Sequence, residues 1–355
     1  MQKIISILSV IGIILIFSTG CYPIITENEE TLSNFKQNTS ENIDYDPQKY
    51  PVEIQNLNSK TQMSTLTYTH PPQRVVAFWQ NSIETLIALG VGDRIIVGTG
   101  VPNKKYFKEE YQDDYEKIPY TGLENIDKET LTMLEPDFIL GWHSTFSAKV
   151  AGSTEYWNSR GVNTYMAMSS SPLRGENFSK PYHSLDEEYQ YILDLGKIFA
   201  KEERAHELVH QMQDEINFVV NNTQRENYKP RAIIIEFLGK EISVYGEKSL
   251  AGNILKSLNG DLLEPKVERF SFEQIVDLDP EVIFIVITEE NYGKDEMYLD
   301  RIYKNQALQN LQVVKNKRVY ILPLYTIYSP GIRAYDGIKI IAQGLYPNLY
   351  EGKQH

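Results

Sequence analysis

A single cysteine stands among 355 residues, which removes any disulfide framework and any metal centre built on a set of thiolates. Positive charge is the minority, 35 basic against 48 acidic residues for a net −13, so nucleic acid and anionic membrane surfaces are poor partners. Long apolar runs are absent after the first twenty residues, which excludes a polytopic membrane chain. Catalytic signatures are scarce as well. No G-x-S-x-G occurs, the only cysteine is Cys21, and Gly246-Glu-Lys-Ser249 lacks the upstream glycine that a phosphate-binding loop needs. What remains is a chain with 41% hydrophobic residues, enough for ordinary cores, and long enough for about two domains at roughly 150 residues each.

The first twenty residues read as a targeting segment rather than as part of the fold. Lys3 supplies the positive start, and the run Ile4 to Phe17 is interrupted only by Ser6, Ser9 and Gly12. That run suits a secretory apolar region and is short for a membrane span. Ser18, Thr19 and Gly20 lead directly into Cys21, an arrangement that resembles a bacterial lipobox, although Ser18 stands where such boxes usually carry leucine. The resemblance implies that Cys21 is acylated and anchors the protein to the membrane on its extracytoplasmic face. An ordinary secretory peptide followed by a chance cysteine is the alternative. Residues 21–50 carry six acids against two lysines, few large apolar residues and no period. They read as a disordered tether, or else as an extension docked on the body.

From Pro72 onward, short β-branched runs alternate with helical patterns. Strands are expected at 74–78, 95–97, 137–140, 162–166, 232–237, 282–287 and 318–322. Helices are expected at 82–89, 126–134, 154–160, 250–258 and 337–345. Continuous apolar strands separated by helices indicate parallel sheets covered on both faces, the α/β class. Between the two groups runs a helical stretch from Ser184 to about Val220, opened by the capping-box pair Ser184 and Glu187. Gly196 and Lys201-Glu-Glu-Arg204 imply either a break into two helices or one long kinked helix. The body thus divides into an N-terminal lobe 51–183, a connecting region 184–228 and a C-terminal lobe 229–355.

The lobes share an internal repeat. Glu129-Thr-Leu-Thr-Met-Leu-Glu-Pro-Asp-Phe-Ile-Leu140 aligns with Glu273-Gln-Ile-Val-Asp-Leu-Asp-Pro-Glu-Val-Ile-Phe284. Each is a helix that stops before a proline, turns, and enters a buried strand. Two similar lobes leave a cleft where the carboxyl ends of both sheets face, the usual place for a ligand in α/β sheets.

These segments, with Gln73-Arg-Val-Val-Ala-Phe78, the run Glu84 to Gly98 and Ser329-Pro-Gly331, resemble the substrate-binding lipoproteins of ABC importers for ferric siderophores, haem and cobalamin. The resemblance spans Cys21 to Leu349. It implies two Rossmann-like lobes joined by a long α-helix, the class III periplasmic-binding-protein architecture, in a monomer that binds rather than catalyses. It also implies an importer permease with its ATPase as partner, docked through one glutamate per lobe. By position in the matching motifs these are Glu129 and Glu273. Read from the residues alone, either is equally a solvated first-turn acid favoured by the helix dipole.

Ligand contacts are expected from loops after strands. In the first lobe these are Trp79, Gln80, Trp142, His143, Met166 and Met168. In the second they are Glu236, Phe237, Thr288, Tyr325 and Tyr328, with Arg333 reaching the same cleft. Tryptophan and tyrosine offer large, stiff contact area to a metal complex, but Trp79 and Trp142 equally fit as core plugs. His143 with Met166 or Met168 would make a haem axial pair, or simply a pocket wall. Arg174 and Arg333 alone are few cations for a tri-anionic catecholate complex, so a less charged ferric hydroxamate fits better. The iron complex is cargo, and no resident cofactor is expected. One motif points elsewhere: His206-Glu207-Leu-Val-His210 matches the H-E-x-x-H zinc site of metalloproteases. Its flanks are those of a solvated helix face, and the extended Gly and third-His signature is missing.

Overall fold

The computed structural model describes residues 45–124, 126–171, 183–223, 228–265 and 270–351, all of them within one compact unit. Cys21, the targeting segment and Arg174 lie outside the described residues. The chain opens with an antiparallel hairpin, β1 (Val52–Leu57) and β2 (Met63–Tyr68). The first sheet follows, with β3 (Val75–Phe78), β4 (Ile95–Thr99), β5 (Tyr120–Gly122), β6 (Phe138–Gly141) and β7 (Asn163–Met166). Its order is β5-β4-β3-β6-β7 and every pairing is parallel. The second sheet contains β8 (Arg231–Leu238), β9 (Glu241–Val244), β10 (Asp261–Leu262), β11 (Val282–Ile287) and β12 (Val319–Pro323). Here β10-β8-β11-β12 run parallel and β9 returns antiparallel on β8.

The central strands β3, β6 and β11 are buried at every residue. Helices cover both faces, so an apolar side chain on either face leaves water, which explains their unbroken apolar sequence. One hydrophobic cluster runs from the first sheet through the connecting helices to the inner face of the second. A second cluster, built from Ile233, Ile235, Ile283 and Ile285, lines the second sheet's other face.

The connecting region is two helices, Leu185–Ile198 and Glu202–Thr223. Of the two readings open in the sequence, the break is the one found. It falls at Ala200, which takes φ +55°, a conformation that ends a helix. The longer helix is the second. Ser184 caps the first by accepting from the Glu187 N–H. The end of the acidic N-terminal stretch lies on this connector: the Tyr50 hydroxyl donates to the Ile198 carbonyl at 2.8 Å. Neither the β1–β2 hairpin nor the helices Glu109–Glu116 and Asp295–Tyr303 are expected from the sequence pattern. The hairpin alternates exposed polar with inward residues, and both helices are dominated by charged and tyrosine residues.

The internal repeat closes in the same way in both lobes. Each helix ends on an acid in left-handed conformation before the proline, Glu135 at φ +48° and Asp279 at φ +42°. The acid after the proline then accepts from the backbone at the start of the lobe's first strand. Asp137 takes the N–H groups of Gln73 and Arg74 at 2.7 and 2.9 Å, and Glu281 takes that of Arg231 at 2.8 Å. In return Arg74 donates to the Leu134 and Glu135 carbonyls, and Arg231 to that of Leu278. The helix C-terminus, which leaves carbonyls unpaired, is thereby tied to the strand edge by one arginine per lobe.

Candidate functional site

A cavity of about 450 Å³ lies where the strand ends of the two lobes meet. The first lobe supplies Trp79 after β3, Trp142 after β6 and Tyr106 from the loop after β4. The second supplies Glu289 and Glu290 after β11, and Tyr325 and Tyr328 after β12. Trp79 and Trp142 are stacked at 4.9 Å between ring centres, and Tyr328 meets Trp142 edge-on at 5.4 Å across the cleft. Tyr106 and Tyr325 both pack against Tyr292, at 6.0 and 5.3 Å. The two tryptophans are half-buried wall residues rather than core plugs; the fully buried tryptophan is Trp157.

The walls are held by local chemistry. Trp79 sits at φ +72°, ψ +154°, a region that side chains other than glycine rarely visit and that costs on the order of 1–3 kcal/mol. Its backbone N–H donates to the Thr99 carbonyl at 2.7 Å. Its ring lies over Gly100, where a Cβ atom would come within 2.8 Å of it, so only glycine admits the indole. Both indole N–H groups are satisfied, Trp79 on Thr145 Oγ1 at 3.1 Å and Trp142 on Asn81 Oδ1 at 2.8 Å.

At the cavity floor Arg333 meets Glu84 of the other lobe in a bidentate pair, Nε–Oε2 at 2.7 Å and Nη2–Oε1 at 2.8 Å. Its remaining donors go to Asp336 at 3.0 Å and to the Tyr106 carbonyl at 3.2 Å. Burial opposes the charge on Arg333, but the hydrogen bonds and charge of Glu84 outweigh it and hold the guanidinium above its ordinary range. Arginine keeps its charge in such a site, and the fork of its donors matches the carboxylate. Beside it Gly331, at φ +56°, approaches so closely that a Cβ atom would lie 2.5 Å from Thr85 Oγ1. Its N–H donates to the buried Glu188 carboxylate of the connector at 2.9 Å, and Ser329 meets Ser169 at 3.0 Å. Burial pushes the Glu188 carboxyl up to about 7. The turn from Ser329 to Arg333 is therefore a polar joint pinned to the first lobe and to the connector.

The family model for periplasmic binding proteins matches residues 75–326, which include both sheets and most of the cavity wall. The chain belongs to the periplasmic binding protein family. A periplasmic binding protein from Veillonella parvula DSM 2008 is 40% identical, with a TM-score of 0.80 over 86% of this chain and 95% of its own. An uncharacterised ABC transporter substrate-binding lipoprotein of Bacillus subtilis, YvrC, is 22% identical over 85% of this chain and 88% of its own. The ABC-type Fe³⁺-hydroxamate transport protein of Saccharomonospora viridis DSM 43017 shares the fold, at 20% identity and TM-score 0.62 over 83% and 99%. Members of this family are binding proteins rather than enzymes, and substrate-binding proteins of ABC transporters work outside the cytoplasm with a permease and an ATPase. Among the described residues no helix is long and apolar enough to cross a membrane.

Of the ligand contacts expected from sequence, the cavity brings together Trp79, Gln80, Trp142, Tyr325, Tyr328 and Arg333. The other six do not line it. Met166 is fully buried, its backbone clamped by Asn56 of the hairpin at 2.8 and 2.9 Å. Phe237 belongs to the second lobe's outer cluster, under the Arg301 guanidinium. Glu236 accepts from the Tyr245 hydroxyl at 2.7 Å, and Thr288 Oγ1 accepts from Asn291 at 3.0 Å. His143 and Met168 lie in adjoining loops, where the His143 N–H donates to Ser170 Oγ at 2.8 Å and the Met168 carbonyl accepts from Ser171. A strand-end position is a signal for the cavity only where the side chain does not turn back into its sheet. Tyr106, Asn81, Glu289 and Glu290 are cavity residues that this signal missed. The two glutamates directly follow Thr288, whereas Tyr106 sits seven residues past β4 and carries no local mark.

Glu129 and Glu273 each stand in the first turn of their repeat helix. The Glu129 side chain is 76% exposed, with Lys128 at 3.6 Å. Glu273 is exposed and accepts from the Ser271 hydroxyl, which holds its carboxyl below the usual range. His206, Glu207 and His210 are exposed on the long connector helix, where Glu207 pairs with Arg204 at 2.8 Å. Among the described residues no group of three or more histidine, cysteine or acidic side chains is placed to hold a metal ion.

Proposed function

We propose that this protein captures a ferric-siderophore-type complex, of the hydroxamate class, in the interlobe cavity and delivers it to an ABC importer permease. The observation that carries this reading is the cavity itself: aromatic walls from both lobes around a volume of about 450 Å³. Its arginine is already committed to Glu84, so it is no ready receptor for a tri-anionic catecholate. The similarity to the Fe³⁺-hydroxamate protein of Saccharomonospora viridis supports the same direction. In this reading Trp79, Gln80, Trp142, Tyr325 and Tyr328 contact the complex. Glu129 and Glu273, one per lobe, dock the loaded protein on arginines of a two-fold permease, and acylated Cys21 keeps it at the membrane surface. The iron complex is cargo, not a cofactor.

The test is a tryptophan-fluorescence titration with ferric hydroxamates, ferric catecholates, haemin, cobalamin and, as control, zinc. Saturable quenching by a ferric hydroxamate, weakened about tenfold or more by Trp142→Ala, is expected. Haemin quenching that disappears in His143→Ala would replace the siderophore with haem. Zinc binding lost in His206→Ala, with no chelate bound, would overturn the importer reading.

A further inference from the structure

Charge around the cavity is lopsided in a way that identifies the sign of the ligand. Among the lining residues Arg333 is the sole cation, and it is spoken for by Glu84 and Asp336. Lys108, just outside the lining, pairs with the same Asp336 at 3.2 Å. Two cations thus face two carboxylates at the floor and cancel. Glu289 and Glu290 at the mouth have no ion-pair partner among the described residues. The ammonium of Lys294, four residues after Glu290, is turned to the Glu290 carbonyl and the Asn291 side chain at 3.0 and 3.2 Å. The same lining holds Trp79, Trp142, Tyr106 and Tyr328, aromatic rings that attract positive charge over an open face. The Tyr325 ring already lies under the Arg333 guanidinium at 4.9 Å. At the floor Asn81 is 6% exposed and its Oδ1 accepts from the Trp142 indole, which fixes the amide orientation. Its Nδ2 is left without a partner and without accessible surface, so it is closed to a ligand unless its neighbours shift.

Building on the iron-complex reading above, we infer that the cavity selects a complex of net positive charge, with its cationic group turned to Glu289 and Glu290. The bidentate Glu84 is the residue that permits this, because it withdraws the Arg333 charge from the ligand. An anionic complex meets two free carboxylates and no available cation.

The experiment uses one ferric trihydroxamate in three forms that differ at a single remote group: a free ammonium, its neutral acetyl derivative and its anionic succinyl derivative. Each is titrated against the full chain by tryptophan quenching at low salt. The expected order is cationic, neutral, anionic, with roughly tenfold between the extremes, shrinking at high salt as exposed charges are screened. The Glu289→Gln/Glu290→Gln variant is expected to bring the three within about twofold of one another. An anionic form that binds as well as the cationic one, or a variant that weakens all three equally, overturns the inference. If none of the three binds, the iron-hydroxamate reading fails by itself. The sign of the site is then read from phenyltrimethylammonium against benzenesulfonate, where preference for the sulfonate or equal binding overturns the charge inference and preference for the ammonium upholds it.

Discussion

The two lobes carry the same module at one end and unlike loops at the other. On the side away from the cavity, Arg74, Leu134 and Asp137 in the first lobe do what Arg231, Leu278 and Glu281 do in the second. At the cavity the likeness stops. The first lobe presents two stacked indoles and a buried amide, the second two tyrosines and two free carboxylates. The helix–proline–strand turn is a solution to backbone hydrogen bonding and leaves little freedom. The loops after the strands carry no such duty, so they are free to differ and to form a site that neither lobe has alone.

The joint between the lobes is the first place to break this comparison. Glu84→Ala strands the Arg333 guanidinium in a buried site and is expected to cost about 3–5 kcal/mol in urea unfolding. Adding Arg333→Met should return most of that loss. A destabilisation no larger for the single than for the double variant would show that the lobes are held otherwise.

Glu188, on the connector, gives the joint a pH dependence. Its carboxyl titrates near 7 folded, against an ordinary 4.5, so across that window the folded protein holds a proton that the unfolded chain has lost. This contribution is greatest below about pH 4.5, falls as pH rises, and is gone above about 7, a span of roughly 3 kcal/mol. Glu187 and His183 are the charged neighbours that act on it. Glu188→Gln should flatten this part of the stability–pH curve and leave the protein more stable than wild type at pH 8.

The repeat itself predicts equality. Arg74→Ala and Arg231→Ala each remove a side-chain cap from helix carbonyls and should each cost about 1–2 kcal/mol, matched to within about 0.5 kcal/mol of each other. Chemical denaturation of the two variants checks it, and a large inequality would mean that the modules are alike only in outline.

The smallest effect on the molecule belongs to Glu129 and Glu273, the glutamates proposed to dock the permease. Glu129→Lys and Glu273→Lys lie on exposed first turns and should change stability by no more than about 0.5 kcal/mol, with ligand affinity unaltered. Iron uptake in cells should nevertheless collapse in the double variant. Uptake that persists would remove the docking role.

Much of the fold is legible before any coordinates. A strand buried on both faces must be apolar throughout, and a helix must stop before proline, so Val75–Phe78, Phe138–Gly141 and Val282–Ile287 announce themselves within a residue or two. The repeat is equally legible, since its acids and proline are set by local backbone needs. The β1–β2 hairpin is not, because its strands are tied to residues far along the chain, Asn56 to the Met166 backbone and the Tyr68 hydroxyl to the Thr164 carbonyl.

The site divides along the same physical line. Local sequence is enough to put Trp79, Trp142, Tyr325 and Tyr328 at strand ends, because chain direction and strand length decide that. It does not decide which side chains at a strand end face the cavity, which is why Met166 and Phe237 stand apart from it while Tyr106 and Asn81 line it. Nor does it decide the charge of the site. Glu84 and Arg333 are 249 residues apart and carry no common pattern; only the docking of one lobe on the other brings carboxylate to guanidinium. Sequence determined the two lobes and their shared module, since those follow from short-range hydrogen bonding and burial. Tertiary structure alone decided which charges cancel and which remain for a ligand, because Coulomb energy depends on distances that the chain sets only when it closes.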